Sequence, residues 1–100
     1  MSLFKKLFGA GPDFKQMLAN GAIIIDVRSP GEFSSGHIKG SKNIPLQQIT
    51  SGVKSIAKDK PIITVCASGM RSASAKSQLR SMGYTQVENG GSWTKMRQFV

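Results

Sequence analysis

A thiol, a glycine and a guanidinium stand within the six residues from Cys66 to Arg71. Small residues and a glycine between them let the backbone curl tightly, with its N–H groups turned inward. Those N–H groups, the permanent charge of Arg71 and the N-terminus of a following helix would all favour an anion at the centre of the loop. The sulfur of Cys66 is the natural anion, because electropositive surroundings lower the pKa of a thiol and the thiolate is the nucleophile.

A lone cysteine in a strand is often only a buried structural residue. Cys66, however, is predicted at the carboxyl end of a strand, directly before the glycine-containing loop, and this position favours reactivity. Loops of this kind also serve protein-tyrosine phosphatases, whose pattern has one residue more between cysteine and arginine than the four found here. The smaller ring should suit a bound sulfur atom better than a full phosphate.

The elements that must position this loop follow an alternating order of strands and helices. Continuous apolar runs predict strands buried on both faces, as in parallel sheets, and helix-spaced apolar residues with end signals predict the helices. The predicted strands cover 22–27, 41–44, 61–66 and 84–88, with a turn at 89–91, and the predicted helices cover 13–20, 30–35, 46–57, 72–82 and 93–100. This order predicts an α/β fold whose ligands gather at the carboxyl ends of the strands.

The chain length of 100 residues fits one domain, predicted over residues 13–100. Residues 1–12 are predicted to form a tail or a short amphipathic helix, since apolar residues at helical spacing flank two lysines there. Such a segment is a candidate for contact with a membrane surface or a partner.

The net charge of +9 favours encounters with anions. Nucleic acid is not the expected anion, because no aromatic residues are interleaved with a basic cluster. No apolar run reaches the ~18–20 residues of a transmembrane helix, and no secretory signal is recognisable. One cysteine and one histidine provide neither an internal disulfide nor an ordinary zinc site. We therefore expect a cytoplasmic protein without metal or cofactor.

Three segments resemble motifs of the rhodanese family of sulfurtransferases in its single-domain form. The run IDVRSPGEF over 25–33 resembles D-V-R-x-x-x-E-F/Y, and CASGMRS over 66–72 resembles the active loop C-x-x-G-x-R-S. The run GHIKGSKNIP over 36–45 resembles G-H-I-x-G-A-x-N-I-P, with Ser41 in place of the usual alanine. The NGG run over 89–91, followed by Trp93, is similar to the family's G-G-x-x-x-W region, although its spacing is shorter.

The resemblance implies a rhodanese-like fold: a five-stranded, mostly parallel sheet flanked by helices on both faces. It implies that Cys66 takes a sulfane sulfur from thiosulfate or a persulfide donor and passes it to cyanide, a low-molecular-weight thiol or a protein acceptor. The residues that would bind and stabilise the sulfur are those of the loop, Ala67, Ser68, Gly69, Met70 and Arg71, and Arg71 would orient an anionic donor. Asp26 and Arg28 would form a structural ion pair, and His37 would brace a loop rather than act in a Cys–His dyad.

Two other functions stay open on the sequence. One is a non-catalytic sulfur carrier or binding module that delivers persulfide to one protein partner. The other is a small cysteine-dependent phosphatase or arsenate reductase, against which the shorter loop argues.

Overall fold

The sheet of this protein contains four strands, all parallel, in the part of the chain that the structure describes. That structure is a computed structural model, and it describes residues 11–100, so most of the predicted tail lies outside the described residues. The strands lie in the order β2-β1-β3-β4. Their bounds are Ile23–Asp26 (β1), Lys42–Asn43 (β2), Ile62–Cys66 (β3) and Val87–Ser92 (β4).

The parallel sheet confirms the predicted fold class, but the strand count of five is wrong for residues 11–100. The fifth strand came from the family resemblance alone. Among the described residues only β1 and β3 come from continuous apolar runs, so apolar runs alone do not give the number of strands.

Helices connect the strands and cover both faces of the sheet. They are Phe14–Ala19 (α1), Pro30–Ser35 (α2), Ile49–Gly52 (α3), Met70–Ser81 (α4) and Trp93–Met96 (α5), with 3₁₀ turns at Leu46–Gln48 and Arg97–Phe99. Among the described residues, none of the helices combines the length and apolar character needed to cross a bilayer. The long helix α4 begins at Met70, two residues before the predicted start at Ser72.

The ends of α2 and α4 follow directly from their sequences. Ser29 and Glu32 form a reciprocal capping box around the start of α2, and Pro30 occupies the first helical turn. The helix α4 is followed by Gly83, whose φ of +100° lies in the left-handed region that favours glycine. These local signals explain why the predicted bounds of α2 are confirmed.

Alternate residues of β3 point into two separate cores. Ile63 and Val65 join the cluster that Met96 of α5 and the partly buried residues of α1 complete. Ile62 and Cys66 join the opposite cluster, which contains Ala75 and Leu79 of α4. The period of two along a strand therefore directs the thiol of Cys66 toward α4.

The last strand corrects the predicted turn at 89–91. Asn89, Gly90 and Gly91 lie inside β4, and the register with β3 shifts between Thr64 and Val65, so that Gly90 is an extra residue. A Cβ atom on Gly90 would lie 2.8 Å from side-chain atoms of both Ile63 and Met96. Glycine is needed here for close packing at a β-bulge, and a sequence pattern cannot distinguish this need from that of a turn.

The beginning of that predicted strand also differs. Tyr84 precedes β4 and is buried, with its hydroxyl oxygen 2.6 Å from the carbonyl oxygen of Val53 and 2.9 Å from that of Ile56, two acceptors for its single proton. The tyrosine thus fastens the segment after α3 to the end of α4.

Candidate active site at the start of helix α4

Cys66 is the last residue of β3, and its side chain meets the N-terminus of α4. Its sulfur accepts hydrogen bonds from the backbone N–H of Gly69, at 3.0 Å, and from the backbone N–H of Ser72, at 3.4 Å. The hydroxyl oxygen of Ser72 lies 3.4 Å from the same sulfur. The residue at the N-cap of α4 is Gly69, which has no side chain to satisfy the first free N–H groups. The cysteine sulfur takes the place of a capping side chain.

These contacts oppose the effect of burial on the thiol. Burial raises the pKa of Cys66, but hydrogen bonds from the hydroxyl and N–H of Ser72, and from the N–H groups of Gly69 and Ser68, bring it below its usual value. The positive end of the α4 dipole acts in the same direction. These contacts therefore act toward a lower thiol pKa, the direction that the sequence predicts.

The donors differ in part from the predicted loop of Ala67 to Arg71. Gly69 and Ser68 are among the predicted residues, whereas Ser72 lies beyond them and supplies two of the contacts. Ala67 and Met70 are exposed, and Met70 is 80% accessible. The reason is that α4 starts at Met70 and presents its third N–H, that of Ser72, toward the sulfur. A serine three positions after the glycine N-cap was the signal available in the sequence.

The thiol of Cys66 is enclosed in this conformation. Cys66 has no exposed surface. The exposed residues Ala67 and Ser68 follow it directly, and the buried Ser72 packs against its sulfur. A reagent therefore reaches the sulfur only when the loop moves.

Arg71 forms an ion pair that sequence reasoning did not anticipate. Its guanidinium donates to both carboxylate oxygens of Glu32 in α2, at 2.7 and 3.0 Å. The hydrogen bond from Arg71, helped by that from the N–H of Ser29, lowers the pKa of Glu32 to about 2. The same contact raises the pKa of Arg71, and the negative charge of Cys66 adds to this effect. Both side chains are 39% exposed, so the pair lies at the surface beside the loop.

Asp26 and Arg28 form the predicted ion pair in the interior. The guanidinium donates to the carboxylate with a shortest distance of 2.7 Å, and it also donates to the carbonyl oxygen of Gly36 at 2.7 Å. The ring of Trp93 stacks on Arg28, with 4.6 Å from guanidinium carbon to ring centroid. Asp26 is fully buried and Arg28 nearly so, and these contacts fit a structural role.

His37 contacts Phe33 of α2 in two ways. Its Nδ1 lies 2.8 Å from the carbonyl oxygen of Phe33, and the two rings stack with centroids 3.7 Å apart. These contacts fit the predicted loop-bracing role. Within residues 11–100, no cluster of His, Cys, Asp or Glu side chains is arranged to hold a metal ion.

Asn89 is a site residue that the sequence did not single out for chemistry. Its Oδ1 accepts a hydrogen bond from the Ser72 hydroxyl at 2.6 Å, and its Nδ2 donates to the carbonyl oxygen of Gly69 at 3.2 Å. Asn89 therefore contacts Gly69 and Ser72, whose N–H groups donate to the sulfur.

A cleft of about 430 Å³ opens beside Arg71. This volume is within the range of small-molecule sites. Cys66 does not line it. The residues that do are Val27, Ser29, Pro30, Pro45, Leu46, Gln47, Gln48 and Arg71.

The known proteins that this chain resembles include two thiosulfate sulfurtransferases and one uncharacterized protein. The chain is 39% identical over 69 residues to the thiosulfate sulfurtransferase PspE of Escherichia coli, covering 67% of this chain and 66% of that protein. It is 31% identical over 87 residues to the thiosulfate sulfurtransferase GlpE of Ectopseudomonas mendocina, covering 87% of this chain and 78% of that protein. It is 44% identical over 68 residues to the uncharacterized protein YqhL of Bacillus subtilis, covering 68% of this chain. The chain spans about half (54%) of YqhL and just under two thirds (66%) of PspE.

Solved structures agree with these relatives. The human single-domain sulfurtransferase TSTD1 superposes with a TM-score of 0.75 at 27% identity, covering 85% of this chain and 89% of that chain. A rhodanese with anions from E. coli gives a TM-score of 0.69 at 34% identity, covering 74% of this chain and 89% of that chain. The sequence profile of the rhodanese-like domain matches residues 11–95. With the parallel sheet, the loop after β3 and these matches together, the chain belongs to the rhodanese-like domain family.

Proposed function

We propose that this protein is a sulfurtransferase of the rhodanese type in which Cys66 carries the transferred sulfur. The observation that carries the proposal is the placement of the Cys66 sulfur at the N-terminus of α4, where the N–H groups of Gly69 and Ser72 point at it. The names of the relatives PspE and GlpE support thiosulfate as the donor.

In the first step, the Cys66 thiolate attacks the outer sulfur of thiosulfate. A new S–S bond forms on Cys66, the S–S bond of thiosulfate breaks, and its electron pair leaves with sulfite. The enzyme then holds a persulfide anion, so one negative charge is on the protein before and after the step. The N–H groups that stabilise the thiolate lie beside the developing charge and act as the donors of an oxyanion hole do.

In the second step, a thiophilic acceptor removes the outer sulfur. Cyanide attacks it, the persulfide S–S bond breaks, and thiocyanate leaves while the Cys66 thiolate is regenerated. A thiolate acceptor would react in the same way and leave as a persulfide. Neither step needs a proton, which fits a site where the sulfur contacts amides and a hydroxyl rather than an imidazole.

Donor binding is the proposed role of the cleft beside α2. Arg71 lines it and would place its charge near a bound anion, although Glu32 already shares that charge. Since the cleft does not reach Cys66, we infer that the loop residues Ala67 to Met70 shift when the donor enters.

A lone thiol is also suited to a reducing compartment such as the cytoplasm.

The burial of Cys66 favours a second candidate function, delivery of sulfur to one specific protein. A partner that contacts the exposed Met70 would be able to move the loop and expose the sulfur.

A phosphatase is less suited to these residues. The loop from Cys66 to Arg71 is one residue shorter than the phosphatase pattern, and the N–H of Gly69 within it already contacts the sulfur.

The test is formation of thiocyanate from thiosulfate and cyanide by the purified protein. The wild type should turn over, and Cys66→Ser should reduce the rate to the uncatalysed background. Ser74→Ala, an exposed substitution on the same helix, is the matched control and should keep the wild-type rate. Equal turnover by wild type and Cys66→Ser would overturn the proposal, and turnover only with a protein acceptor would favour the carrier.

A further inference from the structure

The hydroxyl group of Ser72 lies between two acceptors. Its oxygen is 2.6 Å from Oδ1 of Asn89 and 3.4 Å from the sulfur of Cys66. A serine hydroxyl has one proton, so it can donate to one of them at a time. The shorter distance places the proton on the side of Asn89, and the hydroxyl oxygen then accepts from the Cys66 S–H when the thiol is protonated.

The orientation of the Asn89 amide follows from its other contacts. Oδ1 also accepts from the N–H of Gly91 at 2.8 Å, while Nδ2 donates to the carbonyl oxygen of Gly69 at 3.2 Å. If the amide were flipped, its NH₂ group would face the N–H of Gly91 and the hydroxyl of Ser72, and its oxygen would face the carbonyl oxygen of Gly69. Asn89 is therefore held with its acceptor facing Ser72.

We propose that Asn89 is a positioning residue that competes with the sulfur of Cys66 for the hydroxyl proton of Ser72. When the thiol loses its proton, the hydroxyl turns to the thiolate and gives up its bond to Asn89, whose Oδ1 keeps the bond from Gly91. Asn89 thereby limits how strongly the hydrogen-bond donors around the sulfur stabilise the thiolate. This preserves reactivity, because the nucleophilicity of a thiolate falls together with its pKa.

The inference rests on the proposed function only in giving Cys66 a reactive role. The charged side chains on the elements around Cys66 stay the same in the variants below, and each has an ion-pair partner. They are Asp26 on β1, Arg71, Lys76 and Arg80 on α4, and Glu88 on β4.

Two substitutions of Asn89 should move the titration of Cys66 in opposite directions. Asn89→Asp provides a stronger acceptor for the hydroxyl, adds a negative charge and loses the donor to Gly69, so the pKa of Cys66 should rise. Asn89→Ala removes the competing acceptor and frees the hydroxyl for the thiolate, so that pKa should fall. The carbonyl oxygen of Gly69 still accepts from the N–H of Ala73 at 3.0 Å in both variants. Each shift should be about 0.5–1 pH unit, the difference that one hydrogen bond makes.

The measurement is the ultraviolet absorbance of the thiolate against pH, with Cys66→Ser as the blank. It follows the buried sulfur without a reagent and without sulfur transfer, so a missing transferase activity would leave this test intact. Shifts of the same sign for both variants, or no shift for Asn89→Ala, would overturn the inference.

Two controls separate positioning from general effects. In a Ser72→Ala background, Asn89→Ala should leave the titration unmoved, and a shift that persists undiminished would also overturn the inference. Asn43 is the matched asparagine: its Nδ2 donates to the carbonyl oxygens of Asp26 and Arg28, away from the sulfur. Asn43→Ala and Asn43→Asp should leave the pKa of Cys66 within about 0.2 unit, well below the change from one hydrogen bond, and shifts equal to those of the Asn89 variants would count against Asn89.

Discussion

The backbone N–H of Gly69 points at the sulfur of Cys66, with 3.0 Å between nitrogen and sulfur. This contact depends on the φ of +105° at Gly69, a left-handed conformation that residues with a Cβ atom adopt only with strain. The glycine thus turns the chain so that its amide faces the sulfur and α4 can begin at the next residue.

Gly69→Ala should destabilise the protein and raise the pKa of Cys66. The left-handed conformation costs an alanine about 1–2 kcal/mol, and relief of that strain would move the N–H away from the sulfur. The measurements are chemical denaturation and the thiolate titration. Gly83→Ala is the control, since its φ of +100° gives the same backbone strain at the far end of α4. Gly83→Ala should lower the stability by a similar amount and leave the titration of Cys66 unchanged. A shift of that titration in both variants would contradict this role of Gly69.

Arg28→Ala should lower the free energy of unfolding by about 3–5 kcal/mol, because it leaves the buried Asp26 carboxylate without its partner. Urea denaturation measures the loss. The half-exposed pair of Lys76 and Glu88 is the comparison, and Lys76→Ala should change stability by about 0.5 kcal/mol or less. Similar losses of unfolding free energy in both variants would mean that the buried pair of Asp26 and Arg28 contributes no more to stability than an exposed pair.

The ion pair of Glu32 and Arg71 should make stability depend on acid pH. The pKa of Glu32 is lowered from its ordinary 4.5 to about 2 in the folded protein, so the unfolded chain binds its proton first. The stabilisation is complete above pH 4.5 and is lost as the pH falls toward 2. In thermal unfolding at a series of pH values, wild type should exceed Glu32→Gln near neutrality and converge with it near pH 2. A constant difference would show that the carboxylate charge has no part in it.

Arg71→Ala should weaken the use of anionic sulfur donors more than of neutral ones. The expected rise in KM for thiosulfate is about tenfold, which corresponds to ~1.4 kcal/mol, while the KM for a neutral donor should change little. Glu32→Gln serves as the control, because it breaks the same ion pair but leaves the guanidinium in place. Equal losses for both kinds of donor would remove Arg71 from donor binding.

Local signals in the sequence predict much of this fold. The capping box at Ser29 and Glu32 sets the start of α2, and the run at 61–66 predicts the strand β3, which is observed over Ile62–Cys66. Such features depend on neighbouring residues and can be seen without knowing the fold. The need for glycine at position 90 could not be predicted this way, because it comes from the close approach of Ile63 and Met96, which belong to other elements.

The features of the site also fall into two groups, those that local patterns predict and those that depend on contacts between distant residues. The loop pattern predicts a sulfur at the end of β3 with amides around it, and Cys66 lies there. The partnership of Arg71 with Glu32 joins residues 39 positions apart, and that of Ser72 with Asn89 joins residues 17 positions apart. Long-range hydrogen bonds of this kind leave no periodic trace in a sequence. The burial of Cys66 likewise follows from how α4 packs against β3, which the loop pattern does not contain.

The most direct measurement is the intact mass of the protein after incubation with thiosulfate and removal of the excess. If Cys66 carries the sulfur, wild type should gain the mass of one sulfur atom and return to its starting mass when cyanide is added. Cys66→Ser should gain nothing. A wild type whose mass stays unchanged, or a Cys66→Ser variant that gains the same sulfur, would contradict the claim that Cys66 carries the transferred atom.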